Sequence, residues 1–165
     1  MKIGIIGYGK MGKAIEKIAI DRGHLISFKT NDFNLNLIKD VDVTIEFSTP
    51  ESAFTNIKNC LDSRVLFVSG TTGWLDDFDI IKRLCDKKNG SLLYASNFSL
   101  GVNIFFELNK YLAKMMKNLT DYSVDLEEIH HTQKQDAPSG TAITLAEGIL
   151  EYSNHDSWGL TPLKN

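Results

Sequence analysis

The sequence has little of what marks membrane, nucleic-acid-binding or disulfide-stabilised proteins. In its 165 residues no apolar run approaches the roughly 20 residues that cross a bilayer, and the first run, at 3–9, is too short for a signal peptide. The net charge of -3 provides no basic excess to neutralise nucleic-acid phosphates. The two cysteines, Cys60 and Cys85, form no CxxC pair, which predicts buried free thiols rather than a disulfide or a metal site. We therefore expect a cytoplasmic protein that binds neither a membrane nor nucleic acid.

Short β-branched apolar runs alternate with stretches of helical spacing, and the 42% hydrophobic and 24% charged residues are typical of a globular protein. The predicted strands lie at 2–6, 25–28, 41–47, 65–69 and 91–96. The predicted helices between them lie at 11–22, 50–61 and 76–88. Strands separated by helices form right-handed crossovers, so residues 1–100 are predicted to be an α/β domain with a Rossmann-like, doubly wound parallel sheet.

The pattern changes after residue 100. A long helix is predicted at 102–117, a strand at 124–129 and another helix at 143–152, whereas the tail from 153 onward shows little periodicity. Residues 101–165 are therefore predicted to be the beginning of a second, α+β domain.

A glycine-rich turn, Gly7-Tyr-Gly-Lys-Met-Gly12, connects the first strand to the first helix. Glycines let a backbone approach phosphates, and a helix N-terminus offers unpaired N–H groups and a positive dipole end. A tight strand–helix turn without a ligand is the alternative, but the position directly after the first buried strand favours a dinucleotide. The predicted pyrophosphate contacts are Gly7, Tyr8, Gly9, Lys10 and Met11.

The sequence lacks the acidic residue that usually follows the second strand and hydrogen-bonds the ribose 2′-hydroxyl. Phe28-Lys-Thr-Asn31 occupies its place, and Lys29 or Thr30 could meet a 2′-phosphate there, which favours NADPH over NADH. A solvated lysine at a strand end is the open alternative.

Two further polar turns follow predicted strands, at 69–74 and 95–101. Small hydroxyl and amide side chains there could hydrogen-bond a nicotinamide carboxamide or a ribose, although the same residues dominate ordinary turns. Three such turns at one sheet edge favour a shared cofactor site. The candidate residues in these two turns are Gly70, Thr71, Thr72, Ala95, Ser96, Asn97 and Phe98.

The segment from Glu128 to Ala142 concentrates proton-transfer residues. His130, His131 and Lys134 fall within five positions and directly precede a small-residue helix start. The N–H groups of Gly140 and Thr141 at that start are predicted to bind a carboxylate. A metal site is disfavoured, because adjacent histidines on a strand point to opposite faces.

This segment, Glu-x-His-His-x-x-Lys-x-Asp-Ala-Pro-Ser-Gly-Thr-Ala, resembles that of the 4-hydroxy-tetrahydrodipicolinate reductases, also called dihydrodipicolinate reductases. The sequence is similar to the family along nearly its whole length, including Phe47-Ser-Thr-Pro50, Gly70-Thr-Thr-Gly73 and Ser96-Asn-Phe-Ser-x-Gly-Val-Asn103. The resemblance implies reduction of a small cyclic dicarboxylate by NADPH or NADH in lysine and diaminopimelate biosynthesis. It also implies a homotetramer for full-length members.

The resemblance further implies a role for each residue of the segment. His130 is the expected catalytic proton donor or acceptor, Lys134 a proton donor, and His131 a substrate ligand. Gly140 and Thr141 are expected to hold a substrate carboxylate, and the glycine turn with the turns at 70–72 and 95–98 to hold the cofactor.

The sequence stops where family members continue, so residues 101–165 are expected to be only part of a substrate-binding and oligomerisation domain. Two interpretations therefore stay open, an active reductase and a nucleotide-binding fragment without catalytic activity. A third, another Rossmann dehydrogenase such as an aspartate or homoserine enzyme, is disfavoured by the His-His-x-x-Lys segment.

Overall fold

The computed structural model of the chain describes residues 1–129, 138–154 and 157–159. The chain divides into two compact units, Met1–Ala95 and Ser96–Asn165. No helix within these described ranges is both long and apolar enough to cross a membrane.

The first unit contains a five-stranded parallel sheet with the strand order β2-β1-β3-β4-β5. The strands are β1 Lys2–Ile6, β2 Leu25–Thr30, β3 Val43–Glu46, β4 Leu66–Ser69 and β5 Leu92–Tyr94. Because the order runs outward in both directions from β1 and β3, the predicted Rossmann-like, doubly wound sheet is confirmed.

Three α-helices lie between the strands: α1 Lys10–Asp21, α2 Pro50–Asp62 and α3 Phe78–Lys88, while a short 3-10 helix, Leu35–Ile38, lies between β2 and β3. Their ends follow local signals. Pro50 begins α2 after the N-cap Thr49, with Glu51 in the first turn near the positive end of the helix dipole. Gly23, just beyond α1, and Asn89, the C-cap of α3, both adopt positive φ, at 76° and 49°.

The hydrophobic core lies on both faces of the sheet, because successive strand residues point to opposite sides. Ile5 packs in one cluster with Ala19 of α1, while its neighbour Ile6 packs in the other with Ile57 of α2 and Ile81 of α3. The near-continuous apolar sequence of β1 is therefore explained by burial on both faces.

The second unit contains two helices, α4 Leu100–Met116 and α5 Gly140–Tyr152. Phe106 and Ala113 of α4 and Ala142 of α5 are buried, and the Asn109 amide of α4 donates to the Leu145 carbonyl of α5 at 2.9 Å. The predicted strand at 124–129 does not form. A strand needs a neighbouring strand for its hydrogen bonds, and the described residues of this unit contain no other.

One face of α4 is apolar and solvent-exposed. Ile104, Leu108, Leu112 and Met115 recur at helical spacing, and each is more than half exposed. Contiguous apolar surface of this kind marks an interface in soluble proteins.

Both cysteines are free, as predicted; Cys60 is fully buried, whereas Cys85 is only partly buried. Burial raises the pKa of the Cys60 thiol to about 12, and the charge of Glu46 acts in the same direction. At a pH above the usual pKa of a thiol, Cys60 therefore loses its proton in the unfolded chain and keeps it in the folded chain.

We expect this proton release to lower stability as the pH rises. The stability gap between the wild-type chain and Cys60→Ala should narrow between about pH 9 and 11, by up to about 1.4 kcal/mol per pH unit. Urea denaturation across this range measures the gap, with Cys85→Ala as the matched control for removing a thiol. A gap for Cys60→Ala that stays constant with pH would contradict the prediction.

Candidate functional site

The turns that follow β1 and β3 meet at the sheet edge where the strand order reverses, which is where open α/β sheets bind ligands. The Phe47 N–H donates to the Ile6 carbonyl at 2.9 Å. Gly7 has a φ of 86°, and a Cβ at this position would lie 1.9 Å from the Phe47 carbonyl oxygen. The contact between the two turns therefore requires glycine at position 7.

Contacts among the described residues do not require glycine at position 9. Gly9 is the N-cap of α1, in extended backbone with a φ of -85° and a ψ of -150°, so no positive φ requires glycine there. A Cβ at Gly9 would meet nothing within 4 Å, whereas one at Gly12 would lie 2.4 Å from the Gly7 carbonyl oxygen. The open space beside Gly9, at a helix start with unpaired N–H groups, fits the approach of a pyrophosphate. The spacing of glycines 7, 9 and 12 is that of the dinucleotide-binding fingerprint GxGxxG.

A buried carboxylate joins the turn after β3 to the turn after β4. Glu46, the last residue of β3, is fully buried. Its Oε1 accepts from the Ser48 N–H at 2.9 Å, the Thr71 hydroxyl at 2.8 Å and the Ser48 hydroxyl. Its Oε2 accepts from the Ser69 hydroxyl at 2.7 Å. Glu46 was not among the candidates from the sequence. The one feature that marks it there is its position as an acidic residue within an apolar run.

The turn at 70–72, predicted to bind the cofactor, uses the Thr71 side chain within the protein. Besides donating to Glu46, the Thr71 hydroxyl accepts from the Ser48 N–H at 2.8 Å. The Thr71 carbonyl accepts from the Trp74 indole N–H at 2.8 Å. Thr71 is buried, whereas Thr72 and Gly70 are partly exposed. Thr72 and the backbone of this turn are therefore the groups that a ligand can reach.

The end of β2 is hydrogen-bonded to the glycine turn. The Gly7 N–H donates to the Thr30 carbonyl at 2.8 Å, and the Tyr8 N–H donates to Asn31 Oδ1 at 2.6 Å. The Thr30 hydroxyl is engaged locally, since it donates to the Asp32 carbonyl at 2.8 Å and accepts from its N–H at 3.0 Å. A neutral amide therefore holds the turn, and Lys29 is the remaining candidate for a 2′-phosphate.

In the second unit, the predicted turn after residue 95 contacts the start of α5. The Ser96 hydroxyl lies 3.2 Å from that of Thr144, and the Asn97 amide lies 3.5 Å from the Thr141 hydroxyl. The Asn103 amide holds the turn by donating to the Asn97 carbonyl at 3.0 Å. The structure therefore brings together two candidate cofactor residues and one candidate substrate residue. Of the other candidates in this turn, the Ala95 N–H donates to the Ser69 carbonyl at 3.3 Å and Phe98 is a little under half exposed, at 44%.

His130, His131 and Lys134 lie outside the described residues, but the segment that contains them is bounded by a hydrogen-bonded pair. The Glu128 carboxylate accepts from the Ser139 N–H at 2.8 Å and from its hydroxyl at 2.6 Å. Ser139 is also the N-cap of α5, and its Oγ accepts from the Ala142 N–H at 3.1 Å. One serine therefore caps α5 and binds the Glu128 carboxylate.

The contacts of Glu46 predict that its removal is costly. Glu46→Ala should lower the free energy of unfolding by at least about 3 kcal/mol, because it leaves buried donors without an acceptor and opens a cavity. Glu46→Gln should cost clearly less, since the Ser69 hydroxyl can rotate to accept from the new amide. Urea denaturation measures both, with Glu51→Ala as the control, since losing this exposed acid from the first turn of α2 should cost at most about 1 kcal/mol. A Glu46→Ala variant as stable as the wild-type chain would contradict the structural role.

Two family models match consecutive parts of the chain. The model described as "Dihydrodipicolinate reductase, N-terminus" matches residues 19–98, and the one described as "Dihydrodipicolinate reductase, C-terminus" matches residues 101–161.

Curated relatives and a solved structure agree with these matches. The chain is 54% identical over 158 residues to the 4-hydroxy-tetrahydrodipicolinate reductase of Christiangramia forsetii, a match that covers 93% of the chain and 66% of the relative. It is 40% identical over 165 residues to the enzyme of the same name from Rickettsia canadensis, with 94% and 66% covered. The structure titled "Dipicolinate bound Dihydrodipicolinate reductase from Paenisporosarcina sp. TG-14" aligns with a TM-score of 0.68 at 26% identity, covering all of this chain and 71% of that one. The chain, which spans 66% of the length of these curated relatives, belongs to the dihydrodipicolinate reductase family.

Proposed function

We propose that this chain carries the cofactor site and the proton-transfer residues of a cytoplasmic NAD(P)H-dependent 4-hydroxy-tetrahydrodipicolinate reductase of lysine and diaminopimelate biosynthesis. Family membership supports the reaction. The observation that carries the cofactor assignment is the open Gly9 at the start of α1, a glycine that no contact among the described residues requires.

The proposed cofactor contacts come from turns that the fold holds in place. Gly7 to Met11 would hold the pyrophosphate through backbone N–H groups, and Lys29 would lie near the adenosine ribose. The turn at 70–72 would contact the nicotinamide half, and residues 95–98 keep their proposed role as cofactor contacts. The nicotinamide ring supplies the hydride, while the protein positions it and excludes water.

The proposed substrate is a small cyclic dicarboxylate. The solved reductase from Paenisporosarcina sp. TG-14, with which this chain aligns, is bound to dipicolinate. The first turn of α5 has N–H groups without helical partners at Gly140 and Thr141, and these would bind one carboxylate. The Thr141 hydroxyl lies beside the Asn97 amide, so a residue proposed for the substrate and one proposed for the cofactor are neighbours within the second unit.

Proton transfer is proposed for His130 and Lys134, with His131 as a substrate ligand. The Glu128–Ser139 hydrogen bonds bring together the two ends of the segment that contains all three residues. Because Ser139 is also the N-cap of α5, this pairing places Glu128 beside the helix start that is proposed to bind the substrate carboxylate.

The exposed apolar face of α4 favours a second candidate function, nucleotide binding without turnover. This face would be covered by another polypeptide segment, or by other subunits of the homotetramer that the family resemblance implies. It consists of Ile104, Leu108, Leu112 and Met115. A chain that lacks this cover would bind the dinucleotide through the first unit and fail to enclose substrate.

The experiment that separates these functions measures NADPH and NADH binding to the purified chain and then oxidation of either with freshly generated 4-hydroxy-tetrahydrodipicolinate. Binding with turnover supports the reductase, and binding without turnover supports the second candidate. No binding by a chain that circular dichroism shows to be folded would contradict the assignment of the glycine turn.

A negative charge at Gly9 should separate cofactor binding from folding. Gly9→Asp should keep or raise the stability of α1, since Asp is a better N-cap than Gly and favours the helix dipole. It should weaken NADPH binding at least about tenfold relative to Gly9→Asn, because only Asp repels the pyrophosphate. Fluorescence titration measures binding and thermal unfolding measures stability. If Gly9→Asp and Gly9→Asn bound NADPH with equal affinity, the pyrophosphate would not bind at this site.

Substitution of Lys134 should affect chemistry more than binding. Lys134→Ala should lower kcat by about 10²–10⁴-fold, the usual contribution of a proton-transfer group, and leave the Kd for NADPH nearly unchanged. Lys134→Arg keeps the charge but cannot release its proton, so it should not restore turnover. If Lys134→Ala weakened NADPH binding by as large a factor as it lowered kcat, the catalytic role of Lys134 would be excluded.

A further inference from the structure

A lysine, a glutamate and a tyrosine form a hydrogen-bonded cluster beside the glycine turn. The Lys29 ammonium of β2 lies 2.6 Å from Glu16 Oε1 of α1 and 3.2 Å from the Tyr8 hydroxyl. The Tyr8 hydroxyl also donates to Glu16 Oε2. Both carboxylate oxygens of Glu16 are thus occupied, one by a cation and one by a phenol.

The cluster is attached to the turn that is proposed to bind the pyrophosphate. Tyr8 belongs to that turn, and its N–H is held by Asn31 just beyond β2. The Lys29 ammonium lies 4.8 Å from the centre of the Tyr8 ring, and that of Lys13 lies 6.0 Å from it. Two cations and one carboxylate therefore surround a residue of the cofactor turn.

The charges of Glu16 and Lys29 stabilise each other. Hydrogen bonding to Lys29 and to Tyr8 lowers the pKa of Glu16, and hydrogen bonding to Glu16 raises the pKa of Lys29. Both groups are therefore charged at neutral pH. Lys29 is nearly half exposed whereas Glu16 is 18% exposed, so an incoming anion can reach the ammonium.

The two dinucleotides differ in what they require of Lys29. A 2′-phosphate carries close to two negative charges and gains from an ammonium, whereas an unmodified ribose is neutral. Glu16 holds the same ammonium, so a 2′-phosphate must compete with a carboxylate that is already bonded to it. The neutral ribose of NADH does not have to displace this contact.

We propose that Glu16 is a cofactor-specificity determinant, which reduces the preference for a 2′-phosphate by occupying Lys29 and so allows the site to accept both NADH and NADPH. This inference rests on the proposed function, in which a nicotinamide dinucleotide binds at the glycine turn. Its alternative is that the cluster only fastens α1 to β2, in which case its loss would alter stability and change the affinity for both cofactors equally.

The test compares Glu16→Gln with the wild-type chain in fluorescence titrations with NADPH and NADH. Glu16→Gln should raise the NADPH-to-NADH affinity ratio about two- to fivefold, the size expected for releasing an exposed ion pair. The increase should shrink at high ionic strength because salt screens the Lys29 charge. Lys29→Gln should lower the ratio, and the double variant should match Lys29→Gln.

Two further measurements keep the outcome unambiguous. Glu51→Gln makes the same change in net charge at an exposed acid elsewhere in the first unit, and it should leave the ratio unchanged. Titration with 2′,5′-ADP and with 5′-AMP repeats the comparison on fragments without nicotinamide. A ratio that Glu16→Gln leaves unchanged, or a change shared by Glu51→Gln, would overturn the inference while leaving dinucleotide binding intact. Failure of the folded wild-type chain to bind any of the four probes would instead overturn the proposed function, and this inference with it.

Discussion

The arrangement of the sheet edge depends on one buried carboxylate. Burying an acid is unfavourable unless its oxygens receive hydrogen bonds, and Glu46 receives four, from Ser48, Ser69 and Thr71. These donors come from the turn after β3, from the end of β4 and from the turn after β4. The carboxylate therefore fixes the distance between those turns, and the contact of Phe47 with the glycine turn extends this arrangement to β1.

This arrangement changes which groups can meet a ligand. The Thr71 hydroxyl was a candidate cofactor contact in the sequence, but in the structure it points inward, together with the Ser48 hydroxyl, and donates to Glu46. Among the described residues, the groups that remain accessible at this edge include backbone, the open Gly9, the partly exposed Thr72 and the cationic side chains near Tyr8. Backbone N–H groups and ammonium groups both favour anions, so the composition of this edge suits a phosphate-containing ligand better than a neutral one.

Features with local causes could be predicted from the sequence. The alternation of strands and helices gave the parallel sheet, and Gly23 and Asn89 ended helices where their tolerance of positive φ places them. Features that depend on distant partners could not be predicted. The partners of Glu46 are up to 25 residues away, and the pairing of Glu16 with Lys29 appears only when α1 packs beside β2. The strand expected at 124–129 does not form for a related reason. The alternation of residues indicates a sequence suited to a strand, but it does not indicate whether a neighbouring strand is present to pair with it.

The two units differ in how completely they bury their own apolar residues. In the first, Ile5, Ile6, Ile57 and Ile81 are enclosed between the sheet and its helices, so the cofactor turns rest on a closed core. In the second, α4 packs against α5 on one side and exposes Ile104, Leu108, Leu112 and Met115 on another. A helix pair gains most of its stability from buried surface rather than from intrinsic propensity. The geometry of the proposed substrate groups on α5 therefore depends on whatever covers α4, whereas the glycine turn and the Glu46 contacts do not.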